Sequence, residues 1–164
     1  MKFTKGYWMN LPGVTNTDAV QVREVKVEND RVYLYTVPYH ADMRAMGGPL
    51  LEMYISSPQP DIIRTEAYHF MGSNQKMPAF ELNDAHCALE VENTETTVTI
   101  KSGNTKLVIG KNPCSFDYYY KDKKLTSIGN RFGNAMISTI STPDGNYMRA
   151  QMNLDIGEKV YGLG

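Results

Sequence analysis

Short segments in which apolar and polar residues alternate make up most of the chain. Val20–Val27 is rich in β-branched residues, Glu28–Arg31 interrupts it, and Val32–Val37 resumes the pattern. Two such runs around a short polar break predict a β-hairpin. Similar segments follow at Leu50–Ser56, Ile62–Phe70, Cys87–Val91, Thr96–Lys101, Thr105–Ile109, Phe116–Tyr120, Lys124–Ile128, Tyr147–Leu154 and Lys159–Tyr161.

Polar segments rich in turn-forming residues separate the predicted strands. They are Pro58–Asp61, Ser102–Asn104, Lys121–Lys123 and Pro143–Gly145, and their residues preset φ, tolerate positive φ or bond to their own backbone. Pro38–Pro49 and Gly72–Asn83 have no apolar period and predict loops. No window carries the apolar i, i+3, i+4, i+7 stripe of a long helix. About ten strands at this spacing predict an all-β antiparallel sandwich.

The aromatic run Phe116–Tyr120 extends this alternation. In a strand, Phe116, Tyr118 and Tyr120 share one face, while Asp117 and Tyr119 share the other. One row is predicted to enter the core. The other suits either stacking against sugar rings or docking a neighbouring domain, because tyrosine combines a large apolar area with a polar end. Further aromatic rings come from Tyr7, Trp8, Tyr33 and Tyr35.

Composition excludes several classes of protein. Lys and Arg number 17 against 18 Asp and Glu, and the basic residues are dispersed, so we expect no nucleic-acid partner. No stretch approaches the ~20 apolar residues of a membrane span, and the first residues lack the apolar run of a secretory signal. Cys87 and Cys114 are too few for a disulfide scaffold, although they leave a single disulfide open. We therefore expect a bacterial, cytoplasmic protein.

Several segments resemble, in order, the N-terminal domain of glycoside hydrolase family 31, in particular its bacterial α-xylosidases. The most telling is Asp155–Glu158 followed by Tyr161, Gly162, Leu163 and Gly164, which is similar to the end of that family's first domain. The other similar segments are Gly6–Trp8, Leu11–Gly13, Gln21–Val25, Ile63–Phe70 with Gly72, Glu92–Glu95 and Ile100–Asn104.

The resemblance implies a galactose-mutarotase-like β-sandwich. Residues 1–164 would form the single N-terminal domain of a larger enzyme, with a catalytic (β/α)8 barrel after residue 164. Such enzymes remove α-linked xylose or glucose with retention, using two carboxyl groups about 5–5.5 Å apart. In this family both are aspartates on the barrel, so the resemblance implies no catalytic residue here, no cofactor and no hydrolysis by this chain alone. The resemblance gives the barrel as the main partner of this domain. Relatives of such an enzyme commonly form homo-oligomers.

Several isolated residues are candidates for chemistry, and each of them also suits an ordinary structural role. His69 ends a predicted strand, but for a histidine in that position a structural or interfacial role is the commoner one. Glu90 and Glu92 share a strand face about 7 Å apart, which suits an inverting pair as well as a solvent-facing strand edge. Cys114 has no neighbouring histidine to activate its thiol, so we predict that it packs as a small apolar side chain.

Metal-capable residues also occur close together in sequence. They are His40 with Asp42, and His86 with Asp84 and Cys87. Neither set has the paired spacing of a tetrahedral zinc site, and adjacent strand residues point to opposite faces. We therefore predict no metal site.

Two alternatives to the accessory-domain hypothesis remain open at the level of sequence. A stand-alone carbohydrate-binding module would require aromatic side chains aligned on an exposed face, with Tyr118, Tyr119, Tyr120 and His69 as the candidate contacts. A structural or oligomer-forming sandwich would show a symmetric interface and no affinity for sugar. The accessory-domain hypothesis instead predicts an exposed apolar surface where a neighbouring domain docks.

Overall fold

The computed structural model describes residues 3–5, 9–38, 50–69, 85–129 and 137–162. Every regular element in these ranges is a β-strand. The strands are β1 (Thr4–Lys5), β2 (Met9–Asn10), β3 (Thr15–Asp18), β4 (Gln21–Val27), β5 (Arg31–Val37), β6 (Leu51–Ser56), β7 (Arg64–Tyr68), β8 (Glu90–Asn93), β9 (Thr97–Ser102), β10 (Thr105–Lys111), β11 (Cys114–Tyr120), β12 (Lys123–Ile128), β13 (Ile137–Thr142) and β14 (Gly145–Ala150). Apart from Pro38, the predicted loops Pro38–Pro49 and Gly72–Asn83 lie outside the described residues.

The strands form antiparallel sheets built largely from consecutive hairpins. A five-stranded sheet has the order β12-β11-β10-β9-β8, and a four-stranded sheet the order β4-β5-β6-β7. Smaller sheets have the orders β14-β13-β3 and β1-β2. The part of the chain that the structure describes contains no helix long and apolar enough to span a bilayer. The prediction of an all-β antiparallel sandwich is confirmed.

The core lies between the inner faces of the two large sheets. Leu34 and Met53 of the four-stranded sheet and Ile100, Leu107 and Phe116 of the five-stranded sheet are fully buried in one cluster. They are inner residues of strands whose neighbours face outward, as the alternating sequence predicts. Each fully buried aliphatic side chain contributes about 1.5–3 kcal/mol to folding.

A group of polar contacts joins the two large sheets at one end. The hydroxyl groups of Ser57 and Ser102 share a buried hydrogen bond of 2.7 Å. Thr105 Oγ1 donates to the carbonyl of Asp61 at 2.6 Å, and the backbone N–H of Asn104 donates to the Asp61 carboxylate. We call the Asp61 and Asn104–Thr105 contacts the Asp61 clasp. It ties the loop between β6 and β7 to the turn between β9 and β10.

The predicted turns are confirmed, and one shows its type clearly. Pro58–Asp61, Ser102–Asn104, Lys121–Lys123 and Pro143–Gly145 all contain turn residues between strands. Lys121 and Asp122 both adopt positive φ, at 46° and 63°. Positive φ at both central residues matches the right-handed twist of the flanking strands in a two-residue hairpin.

Three strand predictions need correction, and two strands of the smaller sheet with β14 were missed. Lys159–Tyr161 is not a strand, because no described segment pairs with it. The strand predicted at Cys87–Val91 begins only at Glu90, and the one predicted at Tyr147–Leu154 ends at Ala150, beyond which only Met152 forms an isolated bridge. Strands β3 and β13 were not predicted, because their polar residues do not show the expected alternation.

Candidate functional site

An open cleft of about 690 Å³ lies where the edge strands β7, β12 and β14 of three sheets come together. Most of its lining is apolar. It is lined by Asp61, Ile63, Thr65, Ala67, Thr105, Tyr118, Tyr120, Leu125, Thr126, Ile128, Ile137, Met148, Arg149, Ala150 and Met152. Leu125, Met148 and Met152 are large apolar residues with substantial solvent exposure. A group of exposed apolar side chains in a concave surface is typical of an interaction site.

Tyr118 and Tyr120 line this cleft from β11. Tyr118 packs against the core, and its hydroxyl shares a 3.0 Å hydrogen bond with Thr65 Oγ1 on β7. Burial raises the pKa of Tyr118, so its phenol keeps the proton. Tyr120 lies nearer the strand end and is more exposed. The prediction that these two side chains share one strand face with Phe116 is confirmed, and the structure shows that this row is the one that enters the core.

Tyr119 lies on the opposite, outer face of the same strand. It pairs in register with Lys106, whose ammonium nitrogen lies 5.0 Å from the ring centroid. Lys106 also forms a 2.8 Å ion pair with Asp122. The structure therefore brings Tyr118 and Tyr120 together in the cleft and leaves Tyr119 outside it. A role for any of the three in binding sugar or docking a domain stays a prediction.

His69 is exposed and lines a separate polar groove of about 290 Å³. The other lining residues are Thr15, Thr17, Thr139, Ser141 and Asn146. Among these described residues there is no carboxylate that could orient the imidazole as a general base. His69 therefore lies in a groove lined mainly by hydroxyl groups, and these lining residues do not form a catalytic site with it.

The segment after β14 lies against the edge of the five-stranded sheet and then becomes fully exposed. Asn153 anchors it: its backbone N–H donates to the Ser127 carbonyl at 2.8 Å, and its side-chain amide donates to the Ser127 hydroxyl at 2.9 Å. Beyond this anchor Ile156 and Tyr161 are exposed, Tyr161 to 85%. Gly162 adopts a positive φ of 104°. Leu163 and Gly164 complete the Tyr161–Gly164 segment, which resembles the junction at the end of that family's first domain. They lie outside the described residues, so the role of this segment stays a prediction.

The cleft does not present the carboxyl pair of a glycosidase. Among its described lining residues Asp61 is the one carboxylate, and it accepts the backbone N–H of Asn104 in the Asp61 clasp. Glu90 and Glu92 lie elsewhere, exposed on the edge strand β8, where Glu90 is opposite Lys101. A retaining mechanism needs a nucleophile and an acid/base on either side of one bond. The cleft therefore suits binding of a ligand or a neighbouring domain, but its described lining lacks the two carboxyl groups that hydrolysis needs.

The two cysteines differ in environment, and both are free thiols. Cys114 is fully buried, and burial raises its pKa to about 12. Cys87 is partly exposed. A thiolate is the reactive form, so Cys114 is a packed apolar group at neutral pH, as the sequence predicts.

We expect a disulfide-exchange reagent such as Ellman's reagent at pH 8 to label Cys87 and leave Cys114 unmodified in the folded protein. In denaturant both should react. Mass spectrometry of peptides from the two samples identifies the labelled residue. Labelling of Cys114 as fast as Cys87 under native conditions would contradict the buried position.

The described residues contain no group of three or more His, Cys, Asp or Glu side chains that could hold a metal ion. His86 Nε2 lies 3.6 Å from Asp30 Oδ2 on the surface, a pair that joins two loops. His40, Asp42 and Asp84 lie outside the described residues.

Sequence reasoning missed the apolar rim of the cleft. Met148, Ala150 and Met152 line it at every second position, and Leu125 approaches from β12. The alternation of Met148, Ala150 and Met152 was a usable signal, since it places three apolar side chains on one face of an extended segment. The position of Leu125 depends on how two sheets pack, which alternation alone does not determine.

Comparison with known proteins identifies relatives along the whole chain. The alpha-xylosidase XylQ of Lactiplantibacillus pentosus is 26% identical over 171 aligned residues, and an alpha-xylosidase of Emericella nidulans is 26% identical over 185. Both alignments cover 100% of this chain, but only 22% and 24% of those proteins. The chain thus spans less than a quarter of the length of these relatives.

A solved structure shares the fold. The cycloalternan-forming enzyme of Listeria monocytogenes, solved with a pentasaccharide substrate, superposes with a TM-score of 0.60 at 18% identity, covering 81% of this chain and 11% of that enzyme. The family model for the glycosyl hydrolase 31 N-terminal galactose mutarotase-like domain matches residues 52–164. This chain therefore belongs to the N-terminal galactose mutarotase-like domains of the glycosyl hydrolase 31 family.

Proposed function

We propose that this chain is the non-catalytic β-sandwich of a larger retaining α-glycosidase. The observation that carries the proposal is the family match over residues 52–164 to a domain defined by its N-terminal place in such enzymes. The cleft supports it, because its described residues hold no pair of carboxyl groups. The nucleophile and the acid/base would lie on a barrel outside these residues.

The proposed substrate is an α-linked xyloside. Both relatives described above are named as alpha-xylosidases, which favours xylose over glucose at the cleaved position. The reaction would be a double displacement that retains configuration, with a covalent glycosyl-enzyme intermediate on the barrel. We further propose a cytoplasmic location. Assembly of the parent enzyme into a homo-oligomer stays a prediction.

The contribution of this domain would be to hold the catalytic domain in place. Leu125, Met148 and Met152 expose apolar area at the cleft rim, and covering such area is favourable by roughly 25 cal/mol per Å². We propose that the rest of the parent enzyme packs on this rim. A displacement of about 1 Å at a reacting group lowers a rate by about a hundredfold, so an accessory domain can matter for turnover without touching substrate.

Replacing Leu125 by Asp in the full-length enzyme tests the docking surface. We expect kcat/KM for p-nitrophenyl α-xyloside to fall by about tenfold or more, because a carboxylate in place of this apolar side chain loses its hydration when the contact forms. The melting temperature should fall as well.

The matched control is Val27→Asp. Val27 is 56% exposed and Leu125 50%, but Val27 lies on β4 and does not line the cleft. The control should leave both activity and melting temperature near those of the wild type. Equal effects of the two substitutions, or no effect of either, would contradict docking through this rim.

A further inference from the structure

The outer face of the four-stranded sheet carries a group of tyrosines that lies apart from the cleft. Tyr33 and Tyr35 on β5, Tyr54 on β6 and Tyr68 on β7 all point away from the core and are partly exposed. Their neighbours along β5 and β6, such as Leu34 and Met53, are the buried residues of the inner face. We call these residues, with the charged residues between them, the tyrosine face.

Three of the rings form a continuous diagonal band across neighbouring strands. The ring centroids of Tyr33 and Tyr54 are 5.3 Å apart and those of Tyr54 and Tyr68 are 6.1 Å apart. Arg31 lies over the ring of Tyr54 at 4.5 Å, and Lys26 lies 5.3 Å from the ring of Tyr33. Cations in these positions restrict the orientation of the rings.

Carboxylates placed beside the rings accept hydrogen bonds from them. The hydroxyl of Tyr33 donates to Glu52 Oε1 at 3.1 Å, and that of Tyr68 donates to Glu66 Oε1 at 3.1 Å. Burial and the bond to Glu52 raise the pKa of Tyr33 to about 12, so its hydroxyl stays a donor at neutral pH. The face therefore combines flat apolar rings with fixed donors and acceptors at their edges.

The composition of this face is polar and balanced in charge. Its paired positions on β4–β7, besides Val37, are Gln21, Glu24, Lys26, Arg31, Tyr33, Tyr35, Glu52, Tyr54, Ser56, Arg64, Glu66 and Tyr68. Three of these are acidic and three are basic. Val37, at the end of β5, is the one aliphatic side chain that these four strands turn to this side, and it is buried.

We propose that the tyrosine face binds a neutral oligosaccharide. A sugar ring has an apolar C–H face that packs on an aromatic ring, and hydroxyl groups that pair with carboxylate and guanidinium groups at the rim. Tyrosine and arginine are common in protein interfaces, but glutamate and lysine are depleted at their centres, so the three glutamates and Lys26 of this face favour a sugar over a protein partner. A nucleic acid or other polyanion is disfavoured by the zero sum of charges on the face.

This site is separate from the cleft and does not depend on the parent enzyme's activity. Its test is isothermal titration calorimetry of residues 1–164 with maltopentaose, and with pentagalacturonic acid as the acidic counterpart. Replacing Tyr54 by Ala should weaken maltopentaose binding by at least about tenfold, because the central ring of the band is lost. Tyr54→Phe keeps the ring and should bind nearly as the wild type does.

The matched control is Tyr147→Ala. Tyr147 is also a half-buried strand tyrosine with another side chain beside its ring, the ring of Phe3 at 5.1 Å, but it belongs to the sheet with the order β14-β13-β3. It should leave the affinity unchanged, and a thermal melt of each variant shows that the sandwich is intact. Retardation of the full-length protein in a gel containing soluble starch provides a second comparison of Tyr54→Ala with Tyr147→Ala.

Three results would overturn the proposal. The first is no binding of maltopentaose by residues 1–164 together with no retardation of the full-length protein. The second is tighter binding of the acidic pentasaccharide. The third is a concentration-dependent dimer of the wild type that Tyr54→Ala dissociates, because the face would then be an interface between copies of this chain.

Discussion

Replacing Phe116 by Ala should lower the free energy of unfolding by about 3–5 kcal/mol. Phe116 is fully buried in the cluster between the two large sheets, and its strand β11 lies between β10 and β12. Removing the ring takes apolar area out of the core and leaves a cavity that neighbouring strands cannot easily fill, since both of its flanking strands are paired in register. Urea denaturation followed by circular dichroism measures the change.

Tyr119→Ala on the same strand is the control for Phe116. Its side chain is partly exposed on the outer face, so the loss should stay below about 1 kcal/mol. The two substitutions remove aromatic rings three residues apart in sequence and differ in which face they occupy. Similar losses for both would show that β11 does not separate core from surface as the structure has it.

Replacing Gly103 by Ala should destabilise the domain by about 2–4 kcal/mol. Gly103 has a φ of +58°, which an L-residue adopts only with strain, and a Cβ there would lie 2.2 Å from the Asp61 carboxylate oxygen. That oxygen accepts the backbone N–H of Asn104. The substitution therefore forces Asp61 aside and breaks the Asp61 clasp between the two large sheets. Chemical denaturation at constant pH measures the loss.

Two comparisons separate backbone strain from the steric conflict. Gly157 also has positive φ, at +85°, but a Cβ there meets no atom within 4 Å. Gly157→Ala should therefore cost no more than about 1–2 kcal/mol. In the double variant Asp61→Gly with Gly103→Ala the conflict is absent, so the combined loss should be smaller than the sum of the single losses. Strict additivity would refute the contact between Asp61 and position 103.

Strand prediction succeeded where each strand forms a hairpin with its neighbour in sequence. The pairs β4 with β5 and β10 with β11 alternate clearly and are joined by short polar turns. It failed at β3, whose residues Thr15–Asp18 are polar and gain their pairing from β13, far away in sequence. Strand prediction was also wrong at Lys159–Tyr161, because these β-forming residues have no partner strand in the described part of the chain. The β propensity of a residue reflects how well it packs in a sheet. The sequence of one segment does not show which strands will pair with it.

The candidate sites were predictable to the same extent: local alternation can be read from the sequence, but contacts between strands cannot. The opposite faces of Tyr118 and Tyr119 could be predicted from local alternation and are confirmed. The tyrosine face could not, because the contact of Tyr54 with Tyr33 and Tyr68 depends on the register of three strands. The cleft depends on the edges of three sheets, so alternation marks its apolar residues but does not assemble them.

The central claim is that this domain supports a glycosidase without carrying out its chemistry. The most direct test compares hydrolysis of p-nitrophenyl α-xyloside and p-nitrophenyl α-glucoside by residues 1–164 and by the full-length protein at equal molar concentration. The account predicts activity only in the full-length protein, with the xyloside cleaved faster. Hydrolysis by residues 1–164 alone would contradict it, as would a full-length protein that cleaves neither substrate.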